Sequence, residues 1–392
     1  MAVIAFRVLD TEQAFETVDL NVIFLLAGMM MIANTMAGTG VFRWMAIRSA
    51  KSVQGDPLRV LILLCAITAV ASAFLDNVTT VVLIAPVTLV VADTLGMKAV
   101  PMLIAEALAS NIGGTTTLIG DPPNILIASH AGIDFPTFLF HVGPVAVVSL
   151  IVFLIALRWL FGGSLQAAPD ARERLMQIDD TQLITDPRLL RITVGVLAAV
   201  MLGFLFQGVL HYEPAAVAMM GASVLLLITR HDPHDTLRDI EWSTLFFFIG
   251  LFIVVGGLAE VGVLDDIGQR IADATGGSTT AAVMLILWMS AVFSGFVDNI
   301  PYTAAMLPIV EEMSVSLEGS KNPNLFWWAL AIGADMGGNL TVVAASANVL
   351  VANLAERGGE RIRFWEFFRY GSLVTLGTTT VATGYLWLRY LM

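Results

Sequence analysis

The chain has 392 residues, 57% of them hydrophobic and 13% charged, with a formal net charge of −12 and a mean hydropathy of +0.82. A soluble protein of that length needs more polar surface than this composition supplies, and the acidic balance excludes a nucleic-acid binder or a basic surface peptide. One cysteine, Cys65, excludes an internal disulfide and a multi-thiolate metal site.

In chain order, the apolar residues 1–6 are too short for a signal peptide and run into Arg7 and the acidic stretch 10–19. Apolar runs then recur at 22–34, 60–75, 78–92, 138–161 and 189–206, and again at 215–228, 245–258, 281–296 and 373–391. With their flanks most reach ~18 residues, enough to cross a bilayer. They lack the alternation of a β-barrel, and only helices satisfy their own backbone in lipid. The expected fold is an all-α polytopic membrane protein.

If 42–58 is placed in the cytoplasm and 60–92 enters and leaves on one side, 16 of the 20 basic residues fall on the cytoplasmic side. Only Arg7, Arg270, Lys321 and Arg389 fall outside. Reading 60–92 as two full spans breaks this partition, so a re-entrant hairpin is expected.

The chain also repeats itself. Asp19 and Gly28 match Glu241 and Gly250, Ser72-Ala73-Phe74-Leu75-Asp76-Asn77 matches Ser294-Gly295-Phe296-Val297-Asp298-Asn299, and Pro86 matches Pro308, all 222 positions apart. Asn111-Ile112-Gly113-Gly114 matches Asp335-Met336-Gly337-Gly338, and Asn124 matches Asn348, at 224. The charge partition opens the first hairpin to the cytoplasm and the second to the outside, so two inverted repeats with re-entrant hairpins and broken helices are expected. The second repeat has two helices, 189–206 and 215–228, that the first lacks; two initial helices would be missing from the first.

This organisation divides the chain into scaffold helices over 1–55, the first half of a transport domain over 56–161, a solvated cytoplasmic linker over 162–188, scaffold helices over 189–277 and the second transport half over 278–392. The segments 40–55 and 262–277 read as amphipathic surface helices that could tilt as arms.

Four polar constellations interrupt the apolar runs. Asp76, Asn77, Thr79 and Thr80 form the first hairpin tip; Asp298, Asn299 and Thr303 form the second. A carboxylate at membrane depth faces a cavity or a partner, and Asp or Asn there also suits a helix N-cap, a purely structural alternative. Asn111, Gly113, Gly114, Thr115 and Thr116 lead to Asp121-Pro122-Pro123-Asn124, where paired glycines and prolines break a helix. Asp335, Gly337, Gly338, Asn339 and Thr341, followed by Asn348, form its counterpart. Unwound backbone at depth lines a polar cavity or is buried in protein; freed carbonyls, hydroxyls and amides can replace a solute's hydration shell. Close packing through small residues is the alternative for the glycines. Glu106, on the helix leading to Asn111, is a candidate proton relay, or it pairs with a basic residue. Asp265, Asp266, Glu311 and Glu312 read as solvated faces, and the five histidines show no metal-ligand spacing. The absence of a P-loop, a hydrolase elbow and a dinucleotide turn argues against an enzyme and leaves ion-coupled or passive transport.

The stretches SAFLDNVTTVVLIAPV, ASNIGGTTTLIGDPPNILIAS, SGFVDNIPYTAAMLPIV and GADMGGNLTVVAASANV resemble the ion-transporter superfamily, in its arsenite permease (ArsB-type), NhaD-type sodium/proton antiporter and P-protein (pink-eyed dilution) branches. Dicarboxylate relatives carry Ser-Asn-Thr at their hairpin tips, whereas these tips carry Asp76-Asn77-Val78 and Asp298-Asn299-Ile300. The resemblance implies a mobile transport domain, elevator-like alternating access and a multi-pass protein of the cell inner membrane. It implies export of a small inorganic solute, arsenite or antimonite first, coupled to protons. Sodium/proton antiport and an anion channel or transporter of P-protein type are the alternatives. Expected partners are that solute, a coupling proton or sodium ion, membrane lipid and a second copy of the chain as a homodimer; no cofactor and no metal is expected.

The topology predicts that 162–187 and 354–369 face the cytoplasm and that 265–278 and 311–324 face outside. In a Cys65→Ala background, Glu318→Cys should react with an impermeant thiol reagent from outside only; labelling from the cytoplasm alone would overturn the assignment.

Overall fold

The computed structural model describes residues 8–210, 212–230, 232–262, 267, 269–270, 275–316 and 324–392. The readings at residues 1–6, Arg7, His211, His231, Asp265, Asp266, Glu318 and Lys321, and most of the second amphipathic arm, lie outside them. Among the described residues the chain is helical, without strands, and six helices are long and apolar enough to cross a membrane.

The first repeat runs through α1 (Thr11–Glu16), α2 (Leu20–Ala37), α3 (Val41–Ser52), α4 (Pro57–Leu75), α5 (Asn77–Leu95), α6 (Ala99–Gly114), α7 (Pro122–Ala131) and α8 (Phe135–Phe161). The linker holds α9 (Ala171–Gln177). Then follow α10 (Pro187–Leu205), α11 (Gln207–Leu210), α12 (Pro214–Thr229), α13 (Pro233–Arg238) and α14 (Trp242–Glu260). The last elements are α15 (Thr279–Ser294), α16 (Asn299–Ser316), α17 (Leu325–Gly337), α18 (Ser346–Arg357), α19 (Phe364–Leu386) and a closing π-helical turn, Trp387–Leu391.

The hairpin arms α4 and α5 are each 19 residues, about 28 Å at 1.5 Å per residue, so length alone would let either arm cross a bilayer. Their tip decides otherwise. Asp76 is a single residue at φ 91° between the two helices, a conformation that costs a non-glycine residue about 1–3 kcal/mol. The tip meets the break that follows α6 rather than leaving the protein: Ser72 Oγ donates to the Ser110 carbonyl at 2.7 Å and Thr117 Oγ1 to the Ala73 carbonyl at 2.5 Å. Because α6 has 16 residues and α7 another 10, the break lies about 24 Å along a path with a further 15 Å to run. The tip therefore stops inside it.

The second repeat copies these bonds. Ser294 Oγ donates to the Ala334 carbonyl at 2.6 Å, and Thr341 Oγ1 to the Gly295 carbonyl at 2.7 Å. Each broken helix also packs on the other repeat's hairpin, α7 against α16 and α18 against α5. The paired glycines permit the close approach. A Cβ on Gly113 would stand 2.2 Å from the Ala69 carbonyl oxygen, and one on Gly337 2.6 Å from that of Ala291.

Contacts between loops sort into two groups. Ala168 N bonds the Leu95 carbonyl, Thr185 N the Thr39 carbonyl, Asn34 Nδ2 the Asp239 carbonyl, and Glu360 caps the start of α6 through Ala99 N and Val100 N. Ser129 bonds Asp19, His130 meets Glu311, Phe135 N bonds Gln207, and Arg389 bonds the Phe140 carbonyl. Every pair joins segments that the charge partition places on one side. The first hairpin opens toward the first group and the second hairpin toward the other.

Two surface readings are sharpened. Helix α3 buries Phe42, Ala46, Ile47 and Ala50 beneath the first hairpin instead of lying free. The linker is packed in part: Ala171 and Leu175 are buried, and Asp180 takes Lys51 Nζ at 2.6 Å and Arg48 Nη1 at 3.2 Å. The Lys51 hydrogen bond, more than any other influence, holds the Asp180 carboxyl below the usual carboxylate range.

Overpacking a close helix contact costs about 1–3 kcal/mol. Gly113→Ala and Gly337→Ala should therefore each lower the unfolding midpoint in detergent by several degrees. Gly377→Ala, which meets nothing within 4 Å, should leave it unchanged or raise it. Equal midpoints for all three would refute the close-packing role.

Candidate functional site

The hairpin tips and the two helix breaks converge on one buried polar network. Asp76 caps α5, its Oδ1 accepting from Thr79 N at 2.8 Å and its Oδ2 from Thr79 Oγ1 at 2.7 Å. Asp298 does the same for α16, accepting from Ile300 N at 3.0 Å and from Ser346 Oγ at 3.2 Å. The capping role of both carboxylates is thus real, and each still has its place at the tip. They differ in cover: Asp76 is 4% exposed, whereas Asp298 is half-buried, beside exposed Phe296 and Val297.

Asp121 stands at the centre. Its carboxylate accepts from Asn77 Nδ2 at 2.8 Å and from Asn299 Nδ2 at 3.3 and 3.4 Å, so one acid holds the amides of both hairpin tips. Asn111 makes the second crossing. It accepts from Asn77 Nδ2 at 3.2 Å and donates to Gly338 O, Asn339 Oδ1 and Asn348 Oδ1 at 3.1 to 3.3 Å. Asn124 and Asn348 are repeat mates with the same task, bridging the broken backbone. Asn124 Nδ2 reaches Gly114 O and Thr117 O at 3.5 and 3.2 Å; Asn348 Nδ2 reaches Gly338 O and Thr341 O at 2.7 and 2.9 Å.

Several members keep unpartnered atoms. Both oxygens of Asp335 lack a hydrogen bond, although Thr115 and Asn124 are its neighbours. The Asn77 and Asn124 amide oxygens, the Thr80 and Thr303 hydroxyls and Asn339 Nδ2 are likewise buried and unpaired. A lost partner at such depth costs about 1–3 kcal/mol per group, which makes these atoms candidate ligand-binding groups. Among the described residues no lysine or arginine joins the network; the ion pairs Arg48 and Lys51 with Asp180, Arg174 with Asp170, and His130 with Glu311 lie elsewhere.

Not every expected residue takes part. Gly113, Gly114, Gly337 and Gly338 serve close approach. Thr115 Oγ1 caps its own helix through Asn111 O at 2.9 Å, and Thr116 lines an apolar groove beside Val70, Phe74 and Leu139. Among the described residues Glu106 pairs with no basic residue; it accepts from Thr88 Oγ1 at 2.6 Å. Thr117 was missing from the expected set, yet it holds the first tip as Thr341 holds the second. The 224-residue offset itself points to it.

The sequence profile of the citrate transporter family, CitMHS, matches residues 1–333. The chain belongs to this family of the ion-transporter superfamily. It is 48% identical over 373 residues to an uncharacterized transporter of Mycobacterium tuberculosis, covering 95% of this chain and 87% of that protein. It is 44% identical over 394 residues to a 46 kDa membrane protein of Mycobacterium leprae, covering 100% of this chain and 92% of that one. It is also 32% identical to the human P protein, over 95% of this chain and 54% of the P protein. The fold is similar to that of MtrF of Neisseria gonorrhoeae, described as one of a class of antimetabolite efflux pumps, with a TM-score of 0.65 at 13% identity over 95% and 81% of the two chains. It is also similar to the YdaH transporter of Alcanivorax borkumensis, with a TM-score of 0.57 at 15% identity over 94% and 86%. This family member is a multi-pass membrane transporter.

Asp121→Ala removes the acceptor shared by both tips, leaves the buried Asn299 amide nitrogen without a partner and leaves the Asn77 amide nitrogen with Asn111 alone. It should cost about 2–5 kcal/mol on the scale of unpaired buried groups, lowering the unfolding midpoint well below that of Asp298→Ala. A midpoint equal to that of Asp298→Ala would refute the bridging role.

Proposed function

We propose that the chain is a proton-coupled secondary transporter of the cell inner membrane that exports arsenite or antimonite. The observation behind this is the sign of the unpaired groups. Among the orphaned atoms at the centre, carboxylate, amide and hydroxyl oxygens outnumber the single amide nitrogen, and among the described residues no cationic side chain joins them. A citrate-like or chloride anion would meet acceptors and carboxylates there, an unfavourable pairing. Arsenite at neutral pH is an uncharged trihydroxide with three O–H donors, which suits such a site. Asp76 and Asp298, at the tips, are the groups placed to exchange a proton as the solute passes. A sodium ion is the second reading, because oxygen acceptors are also what a hard cation takes; the chain would then be a sodium/proton antiporter.

Alternating access needs one body to move against another. The bonds from Asn111 and Asp121 to the opposite repeat support a transport body of 56–161 with 278–392 that moves as a unit. The scaffold of 1–55 and 189–277 would stay fixed. The exposed apolar faces of α10 and α14, including Val194, Leu202, Phe246 and Phe247, suit lipid or a second copy of the chain. The strap from Asp180 to Lys51 ties the linker to α3, so the first arm would move with the linker.

Purified protein in liposomes, assayed for arsenite, sodium and chloride flux under an imposed pH gradient, tests the reading. Arsenite movement with counter-movement of protons supports it. Sodium movement alone favours the second reading, and chloride conductance without a pH gradient overturns both. Asp76→Asn and Asp298→Asn can still cap their helices, so each should stay folded and lose coupled flux. Near-normal flux in both would leave the two carboxylates as caps only.

A further inference from the structure

Away from the central network, the first repeat buries a second polar group. Glu106 of α6 is 1% exposed and Thr88 of α5 is fully buried, as is Cys65 of α4. Thr88 Oγ1 donates to Glu106 Oε1 at 2.6 Å, while Oε2 has no partner. Cys65 is the one titratable group facing the carboxyl from the helices packed around it, among the described residues. Glu106 stands five residues before Asn111, so about 7.5 Å of helix separates it from the solute network.

The internal repeat supplies the comparison that makes this site informative. The positions matching Cys65, Thr88 and Glu106 at the offsets of 222 and 224 are Leu287, Val310 and Leu330. All three are fully buried. The same helix wedge is therefore built once with an apolar core and once with a carboxyl, a hydroxyl and a thiol. Packing does not demand the polar version, since replacing both partners of a buried hydrogen bond by apolar groups of similar shape can be nearly neutral or stabilising.

We propose that Glu106 is a proton-carrying site, separate from the central solute site and built at this place in the first repeat and not at its counterpart in the second, which loads and unloads through a local opening of the α4–α5 hairpin against α6 inside the transport body, distinct from the shift of that body against the scaffold. This deepens the proton-coupled reading above. In the closed arrangement the carboxyl holds its proton, since among the described residues no positive charge faces it and ionised carboxylates are costly at depth. When the hairpin parts from α6, water reaches Oε2, the proton leaves to that water, and Thr88 Oγ–H stays bonded to the resulting carboxylate. Closure requires the proton to return. The second repeat, with leucine and valine at these positions, offers no such step at the matching place.

Two measurements test the proposal. Infrared difference spectroscopy of the protein in lipid discs, wild type minus Glu106→Gln, should show a carboxylic-acid carbonyl band at neutral pH that disappears at alkaline pH. No band in the difference overturns the proposal, whatever solute is carried. The second compares wild type with the triple variant Cys65→Leu, Thr88→Val, Glu106→Leu, which copies the second repeat's core. The triple variant should fold with an unfolding midpoint at or above that of wild type. It should still exchange solute at equal pH but lose accumulation driven by a pH gradient. Full pH-driven accumulation in the triple variant overturns the proposal even if the band is present. If the wild type accumulates none of arsenite, sodium and chloride, the proposed transport function fails, and the infrared difference still decides whether Glu106 holds the proton.

Discussion

A backbone carbonyl or a carboxylate in the middle of a bilayer has no water to bond, so each must find its partner inside the protein. The site of this transporter depends on that constraint. Two helices break at Gly114 and Gly337, freeing backbone groups where lipid could not satisfy them. Serine side chains from the two hairpins, with threonine and asparagine side chains from the broken segments, bond the backbone of tips and breaks. Ser72, Thr117 and Asn124 do this in the first repeat, Ser294, Thr341 and Asn348 in the second. Without the hairpin tips the broken helices would expose unpaired backbone; without the breaks the tips would bury carboxylates against nothing.

The repeat symmetry explains the framework, and its violations mark the chemistry. Structural bonds are matched across the repeats almost atom for atom. The tip carboxylates Asp76 and Asp298 are matched too, but the central carboxylates and the unpaired groups are not. Asp335 faces Asn111 as its repeat mate, and Asp121 corresponds to Ala345. The central carboxylates are thus single copies on a doubled frame. Glu106 follows the same rule at a second place. A frame that moves needs equivalence, because its two end states resemble each other. A site that binds one solute does not, since one set of ligands has to close around it.

The outer and inner loops add a further level of order. Glu360 reaches from the loop before α19 to the first turn of α6, and its carboxylate caps the positive end of that helix. His130 on α7 meets Glu311 on α16 at 2.8 Å at the opposite end. Each joins the two repeats near a membrane surface, where a solvated contact is worth little alone but adds a tie between the two halves of the bundle.

Much of this was legible in the sequence. Hydropathy runs give spanning helices because lipid tolerates nothing else, and the 222-residue echo announces a doubled frame. Asp and Asn in the middle of an apolar run identify the tips and breaks, because nothing else justifies them at that depth. What one dimension cannot carry is the pairing between distant side chains. That Asp121 takes amides from both tips, that Asn111 crosses to Asn339 and Asn348, that the linker folds back through Asp180 onto Lys51, and that Glu106 meets Thr88 instead of a basic residue are all contacts over 18 to 237 residues of chain. Periodicity says which face of a helix is polar, but helix rotation and tilt are set by what packs against it, and those partners exist only once the whole bundle has closed.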